Sequence, residues 1–371
     1  MLRKTLLVAG ALVVVAGCGS HRARTPGGGD GLRHTTVRVS SSDCGKGWTR
    51  PEGGRQVFDL DNTSGSAAEV YLTDARTGAV YGEVEGLGPG TERALRVTLG
   101  DGAYAFRCLP DDADAVTGPT VRIAGSHVRS GPAALPVTQQ DLIPVTLAYQ
   151  RWIQARTVEL AQKTDVLTKA VDRGDLAAAR AAWLPAHLVY ERMGAAYGTF
   201  GDADEEINGD SAGFHRLERG LWHGEPASTL RAPADALLEA VHALEKRWPD
   251  QRIDPGDVGL RAHEIMENAV QFELTGRTDQ GSGTNLATAR ANLDGTRTLL
   301  DFLRPLLKTR DAGLPALDAW MDRAQHTLDG VDSKPLTRLT RAQREKVDAD
   351  VGGLVERLAD VAALTDVRRT A

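Results

Sequence analysis

The sequence predicts a multidomain chain in which an N-terminal all-β sandwich is followed by an all-α domain. Residues 37–125 carry short runs of alternating apolar and polar residues, separated by Gly, Asp and Pro. Beyond residue 141 the chain is rich in Ala, Leu and Arg, and its apolar residues follow the period of a helix. A length of 371 residues gives two or three domains enough chain to bury a core each.

Residues 1–17 are predicted to be a lipoprotein signal peptide. A basic start precedes an apolar run of 13 residues, which is too short to span a bilayer comfortably but suits a signal sequence. The run leads into VAGC at residues 15–18, which resembles a bacterial lipobox, so we expect cleavage before Cys18 and lipidation of that cysteine. An uncleaved or ordinary secretory signal is the alternative. Residues 18–36, rich in Gly, Arg and Thr, are predicted to form a flexible tether.

The remaining two cysteines form an even pair. With Cys18 lipidated, Cys44 and Cys108 are left in an oxidising compartment, where a disulfide is the favoured interpretation. In the alternative, either cysteine is a ligand in a copper or iron site, with Asp61 or Glu69 nearby. A type 1 copper centre is not expected, because neither His nor Met follows closely after Cys108.

Short segments in residues 37–125 have the pattern of strands in a small antiparallel sandwich. Asp101-Gly102, between two apolar runs, is a hairpin signal. The predicted strands are TTVRVS, RQVFDLDN, AEVYLTD, ALRVTLGDGAYAFRC and PTVRIAG.

A linker that contains Pro and Gly, residues 126–140, separates this domain from the helical domain, residues 141–371. Asp175 and Thr284 stand where helices are expected to begin. Eight helices fit two adjoining four-helix bundles. They are predicted near residues 142–172, 175–200, 211–223, 232–248, 255–275, 284–308, 313–330 and 338–366.

Three of these helices place a histidine and a glutamate three or four residues apart along an apolar face. Residues at that spacing are neighbours on a helix, so each pair can supply two ligands to one metal ion. The pairs are His187 with Glu191, His215 with Glu218, and His263 with Glu267.

A single pair of this kind is more often a buried hydrogen bond than a metal site. Three pairs in one helical domain are harder to explain as buried hydrogen bonds alone, because burying each carboxylate without a compensating cation costs several kcal/mol. Helical bundles that bury such pairs usually hold a metal between facing helices. Imidazole and carboxylate ligands without thiolate suit iron or manganese, and zinc less specifically.

At these residues the chain resembles the imelysin-like, EfeO-type iron-uptake lipoproteins. GFHRLERGLWHGE is similar to the HxxE signature of that family with its flanks, and the other helical segments follow in the family's order. The segment from DCGKGW to YAFRC resembles the cupredoxin-like domain that precedes the imelysin-like helical domain in EfeO-type proteins. The resemblance covers both domains, from about residue 37 to the end. The helical segments concerned are PAHLVYERMG, FGDADEEING, HEIMENAVQFELTG and DFLRPLL.

The resemblance implies a set of metal ligands, and two positions depart from it. A glutamate often stands three residues after the first ligand, where this chain has Gly194, and an aspartate is common where it has Asn208. Fewer anionic ligands weaken binding of a trivalent ion most, and neighbouring histidines soften the site toward Fe(II) or Zn(II). The implied ligands are Glu191, His215, Glu218 and Glu267, and additional or supporting roles fall to His187, His263 and Asn208.

The resemblance further implies an extracytoplasmic, lipid-anchored component that captures Fe2+ or Fe3+ as cargo, with Zn2+ and Cu2+ left open. Its expected partners are an EfeU-like iron permease and an EfeB-like haem peroxidase, at the cell envelope. No nucleic-acid partner is expected, because the net charge of −6 provides no basic field for phosphates.

Two other functions remain as alternatives. A metallopeptidase is disfavoured, because HEIME has Glu267 where a zincin needs its second histidine. A protein that binds an anionic polysaccharide or a metal chelate would use aromatic residues of the helical domain, but such residues more often belong to a core.

Overall fold

The computed structural model describes residues 30–369, and within them a β sandwich precedes a helical domain, which confirms the predicted fold class. Cys18, the predicted signal peptide and residues 18–29 of the predicted tether lie outside the described residues. The strands are β1 Arg33–Val39, β2 Cys44–Lys46, β3 Gly54–Asn62, β4 Ala68–Asp74, β5 Val80–Leu87, β6 Glu92–Leu99, β7 Gly102–Pro110, β8 Val116–Thr117 and β9 Val121–Ile123.

The strands form two sheets. One has the order β2-β1-β3-β6, and the other has the order β5-β4-β7-β8 with β9 also paired to β7. Between them lies an aromatic cluster in which the ring centroids of Trp48 and Phe58 are 4.7 Å apart and those of Phe58 and Phe106 are 5.0 Å apart. Edge-to-face contacts of this kind add to the free energy gained by burying the rings.

The hairpin prediction at Asp101-Gly102 is wrong. Strand β6 pairs with β3, whereas β7 pairs with β4, so this turn carries the chain from one sheet to the other. The hydroxyl of Tyr104 donates to the carbonyl oxygen of Gly100, 2.9 Å away, and fixes the crossing. The two strands that flank the turn each bury apolar residues between the sheets, and pairing within one sheet would not allow that.

The helices are α1 Gln139–Asp172, α2 Leu176–Glu191, α3 Tyr197–Phe200, α4 Asp202–Asn208, α5 Gly213–Trp222, α6 Ala227–Arg247, α7 Asp257–Asn268, α8 Asn285–Arg310, α9 Leu314–Asp329 and α10 Arg341–Thr365. The stretch predicted as one helix over 175–200 is divided, because α2 ends at Glu191 and a 3-10 turn precedes α3. A five-residue π turn, Ala269–Glu273, continues α7. Within residues 30–369 no helix is both long and apolar enough to cross a membrane.

The long helices pack as two groups of four. Helices α1, α2, α5 and α6 contact one another in a ring, and α7, α8, α9 and α10 form a second ring. Contacts of α8 with α1 and α2 join the groups, as expected for adjoining bundles. Both groups share one continuous apolar core, and the buried histidines and glutamates lie where α2, α5, α8 and the π turn meet.

Candidate metal centre

The packing of α5 against α2 decides where their histidines lie. Nε1 of Trp183 on α2 donates to the carbonyl oxygen of Phe214 at the start of α5, 2.9 Å away. This contact brings the imidazole centroids of His187 and His215 to 5.5 Å from each other. Both histidines are buried. Two of the three predicted pairs therefore meet in one cluster.

Glu191, the last residue of α2, is buried and held by two amides. Nδ2 of Asn208 donates to its Oε1 (2.9 Å), and Nδ2 of Asn292 donates to its Oε2 (2.8 Å). Nε2 of His187 lies 3.0 Å from the same Oε1 and 3.0 Å from Oδ1 of Asn208. Asn208 thus bridges the histidine and the carboxylate.

Asn292 reaches Glu191 because α8 approaches the end of α2 closely. The approach depends on Gly295, since a Cβ at that position would lie 2.3 Å from the carbonyl oxygen of Arg192. Real Cβ atoms do not tolerate that distance. A single asparagine on a mixed polar and apolar helix carries no spacing signal, so sequence analysis did not find Asn292.

Glu218 lies behind His215 and is held by the loop at residues 275–284. Its Oε1 accepts hydrogen bonds from the backbone N–H of Gln280 (3.1 Å), the backbone N–H of Ser282 (3.0 Å) and the hydroxyl of Ser282 (2.6 Å). Its Oε2 lies 3.3 Å from Nδ1 of His215. One turn of α5 therefore joins the predicted pair.

A carboxylate that sequence analysis missed, Glu273, joins this cluster from the π turn after α7. Its Oε1 accepts from the hydroxyl of Thr278 (2.7 Å), and its Oε2 accepts from Nδ2 of Asn285 (2.9 Å). Burial, and then the charge of Glu191, raises the pKa of Glu273 to about 7. The available sequence signal is that Glu273 follows buried Met266 by seven residues, or two helical turns.

Three other buried groups have shifted pKa values. Burial opposes protonation of His187, but the charge and hydrogen bond of Glu191 and the charges of Glu218 and Glu273 together outweigh burial and raise the pKa of His187. Burial likewise raises the pKa of Glu191, yet the charge and hydrogen bond of His187 leave it below its ordinary value. Hydrogen bonds from His215 and Ser282 overcome burial at Glu218 and lower its pKa. His187 and Glu191 thus form a pair of opposite charges in a low dielectric.

A cavity of about 160 Å3 opens onto this cluster. Two carboxylates and one imidazole contribute to its wall, next to amides, one phenol ring and apolar side chains. The position of Gly194 leaves room there, although a Cβ would lie 3.1 Å from Ile265. The lining residues are Glu191, Gly194, Tyr197, Asn208, His215, Ile265, Asn268, Ala269, Phe272, Glu273, Thr278 and Asn292.

A second, smaller void of about 10 Å3 lies among His187, His215, Glu218, Glu273 and Asn285, with other residues. Within the described part of the chain, two buried atoms of this wall have no hydrogen-bond partner: Nδ1 of His187 and Oδ1 of Asn285. Buried polar atoms are nearly always satisfied in native proteins, so unpartnered ones are typical of a site for water or an ion.

The third predicted pair does not join the cluster. The side chain of Glu267 is 50% exposed, and that of His263 is 19% exposed. Nδ1 of His263 lies 3.7 Å from Oε2 of Glu267, and neither residue lines the two cavities just described. The expectation that Glu267 approaches His215 from a facing helix is not met. Glu267 is half exposed, and Glu273, in the π turn, lines the cavity with His215 instead.

The chemistry of the cluster suits a cation. Glu191, Glu273 and His215 provide oxygen and nitrogen atoms at one cavity, and such ligands bind iron, manganese and zinc. Across residues 30–369 no three His, Cys, Asp or Glu side chains already stand at the spacing of a formed metal site.

In the β domain, Cys44 on β2 and Cys108 on β7 are joined by a disulfide with a Cα–Cα distance of 5.7 Å. The bond links the two sheets. Both sulfur atoms are therefore engaged in a covalent bond and are not free to bind a metal. This agrees with the favoured interpretation of the sequence and not with the metal-ligand alternative.

Comparison with known proteins extends over both domains. The family model described as Imelysin (Peptidase_M75) matches residues 145–364. The chain is also 26% identical over 349 residues to proteins named "Iron uptake system component EfeO" from Escherichia coli K12, Escherichia coli O157:H7 and Shigella flexneri. These alignments cover 88% of this chain and 89% of each relative. The chain belongs to the imelysin family, and its similarity to EfeO proteins spans the β domain as well.

Proposed function

We propose that this protein is the extracytoplasmic iron-binding component of an EfeUOB-like uptake system. The observation that carries the proposal is the cavity at the junction of the two helical bundles, where Glu191, Glu273 and His215 meet. The chain's membership of the imelysin family and its similarity to proteins named as iron uptake components support the same proposal.

The proposed site keeps Glu191 and His215 from the sequence prediction as ligands, keeps Glu218 beside His215 and adds Glu273. Glu267 is not included among the proposed ligands, since its side chain is half exposed and does not line the cavity. Carboxylates and imidazole suit Fe(II) and Fe(III), while Zn(II) and Cu(II) are the competing ions that a test has to include. His187 and Asn208 support Glu191 through the contacts given above.

The proposed context is a lipid anchor at Cys18 that holds the protein on the outer side of the cell membrane. There it passes iron to an EfeU-like permease and works with an EfeB-like haem peroxidase. The −6 net charge agrees with a cation carrier and offers nothing to nucleic acid.

We propose binding rather than catalysis. A zincin mechanism needs two histidines one helical turn apart with a glutamate base between them. Four residues after His263, where the second histidine would stand, this chain has Glu267, whose side chain is half exposed. A polysaccharide site is disfavoured too, because Tyr197 stacks on Tyr190 at 4.8 Å and Trp222 packs on Trp183 at 5.5 Å. These rings pack against aromatic rings of the core and do not form an exposed sugar platform.

Calorimetric titration of the protein with Fe(II) under anaerobic conditions, and with Fe(III), Zn(II) and Cu(II), tests the proposal. We expect micromolar or tighter binding of one iron ion, lost in Glu191→Gln/His215→Ala. The matched control is His242→Ala/Glu245→Gln, which removes an exposed i,i+3 His–Glu pair on α6. Wild-type protein that binds no iron, or variants that bind as the control does, would overturn the proposal.

A further inference from the structure

We propose that Glu218 is a positioning residue, which holds His215 by Nδ1 so that Nε2 is offered to the ion, and that Glu218 does not itself bind the ion. The inference rests on the proposed function and refines it. It divides the HxxE pair into a ligand and its support.

Glu218 has little capacity left on one oxygen. A carboxylate oxygen has two lone pairs, and Oε1 of Glu218 already accepts from two backbone N–H groups and one hydroxyl at 2.6–3.1 Å. The hydroxyl belongs to Ser282, which is in turn 2.7 Å from the hydroxyl of Thr284. An ion that took this oxygen would have to break the contacts that hold the loop.

The second oxygen is directed at the histidine. Oε2 of Glu218 lies 3.3 Å from Nδ1 of His215, within the same turn of α5. An ionised carboxylate only accepts hydrogen bonds, so Nδ1 has to carry the proton. In the neutral imidazole the other ring nitrogen, Nε2, then has the free lone pair, and this tautomer binds metal through Nε2.

The cavity walls agree with this division. His215 and Glu273 line both cavities, whereas Glu191 lines only the larger cavity and Glu218 lines only the small void. A carboxylate behind a metal-binding imidazole is the usual supporting arrangement at metal sites.

The loop at residues 275–284 is built to hold Glu218. Gly281 and Gly283 have φ angles of 123° and 68°, which favour glycine and let the backbone bring its N–H groups to Oε1. From the outer side, Nε of Arg219 donates to Oε1 of Gln280 at 3.0 Å. The loop is therefore fixed on both faces of α5.

Metal titration of single and double variants tests the role of Glu218. Glu218→Gln is expected to weaken Fe(II) binding about 10- to 100-fold with one ion still bound, whereas His215→Ala abolishes binding. Ser282→Ala is expected to weaken binding about tenfold in the wild-type background and by less than about twofold in Glu218→Gln, because it acts through Glu218. Ser228→Ala, an exposed serine on α6, is the control and leaves binding unchanged.

Nitrogen-15 NMR of metal-free protein shows which ring nitrogen of His215 carries the proton. This measurement reports the contact with Glu218 directly and not only whether the protein is folded. We expect Nδ1 to be protonated in the wild type and in Ser228→Ala. Protonation at Nε2 instead, or a Glu218→Gln protein that loses iron as completely as His215→Ala, would overturn the inference. If the wild type binds no iron, the proposed function fails, and the tautomer still decides whether Glu218 orients His215.

Discussion

At the scale of single residues, the centre depends on amides as much as on charged groups. The amide of Asn208 donates a hydrogen bond to Glu191 through Nδ2, and its Oδ1 faces Nε2 of His187. It therefore gives both side chains a hydrogen-bond partner without adding charge. An aspartate at this position would bring a second carboxylate within about 3 Å of Glu191, which is unfavourable without a cation. The choice of asparagine thus stabilises the metal-free site and limits its negative charge.

Asn208→Asp tests the role of the amide, because aspartate has nearly the same shape as asparagine but carries a charge. We expect the metal-free variant to lose about 1–3 kcal/mol of unfolding free energy, because a donor to Glu191 is lost and a like charge is added. We expect Fe(III) to raise its melting temperature more than in the wild type, since a trivalent ion gains most from the extra anion. Thermal unfolding with and without Fe(II) and Fe(III) measures both effects.

The control is Asn268→Asp, which adds the same charge at an exposed position of the cavity wall. It lacks the contact to Glu191, so its metal-free stability should stay close to that of the wild type. Equal iron preference in the two aspartate variants would contradict the role given to Asn208.

At the scale of elements, the close contact of α8 with the end of α2 sets the position of Asn292. Gly295→Ala should cost about 3 kcal/mol of unfolding free energy, because the added methyl group meets the carbonyl oxygen of Arg192 at 2.3 Å and the helices have to separate. Urea unfolding measures the loss.

Gly352→Ala on α10 is the matched control, since no heavy atom lies within 4 Å of its added Cβ. Alanine suits a helix interior better than glycine, so this variant should gain about 0.5–1 kcal/mol. If both variants shift stability in the same direction, the close approach of α8 to α2 is not as described.

The pairing of α9 with α10 depends on one buried carboxylate. Asp350 accepts from the hydroxyl of Thr327 at 2.7 Å and from Nζ of Lys346 at 2.5 Å, and Nε of Arg323 lies 3.0 Å away. Burial raises its pKa, but hydrogen bonds from Lys346 and Thr327 outweigh this and hold the pKa below the ordinary value of 3.8. Ionised Asp350 therefore stabilises the folded protein.

Because the folded pKa is the lower one, this stabilisation is present above pH 3.8 and is lost as the pH falls through the folded value. Asp350→Asn should destabilise the protein by about 2 kcal/mol at pH 7 and by less at pH 3. Urea unfolding at both values measures the difference, with the exposed Asp360→Asn as control. A penalty that is equal at the two values would contradict the prediction.

At the scale of the whole molecule, the C-terminal residues fasten the helical domain to the β sandwich. Two nitrogens of Arg368 lie 2.6 Å from the two carboxylate oxygens of Glu83 on β5. Val137 and Val367 form a parallel β bridge, and Val80 pairs with Ala134 of the linker. The two domains are therefore joined through backbone and charge.

Arg368→Ala should loosen this contact, because a largely buried pair of charge-assisted hydrogen bonds between Arg368 and Glu83 is lost. We expect a larger radius of gyration by small-angle X-ray scattering and several-fold faster proteolysis in the linker. Arg341→Ala removes a surface pair on α10 and should change neither measurement, since that side chain is 91% exposed. Identical scattering of the two variants would show that Arg368 does not hold the domains.

Sequence spacing could identify much of the centre. His187 with Glu191 and His215 with Glu218 lie on single helices, and neighbours at three and four residues are fixed by helix geometry alone. The same rule put Glu267 in the site, where the structure does not bring it. Glu273 follows a π turn, and spacing rules do not anticipate such turns, which often occur at functional sites.

The sequence by itself determined the order of a β sandwich and a helical domain, two groups of four long helices, and two local His–Glu pairs, because these follow from short-range periodicity. Only the tertiary structure decided that β6 and β7 belong to different sheets, that α8 and the π turn bring Asn292 and Glu273 to Glu191, and that a loop about 60 residues downstream holds Glu218. Those contacts join segments far apart in the chain, and they depend on how whole elements pack rather than on which residues are neighbours in sequence.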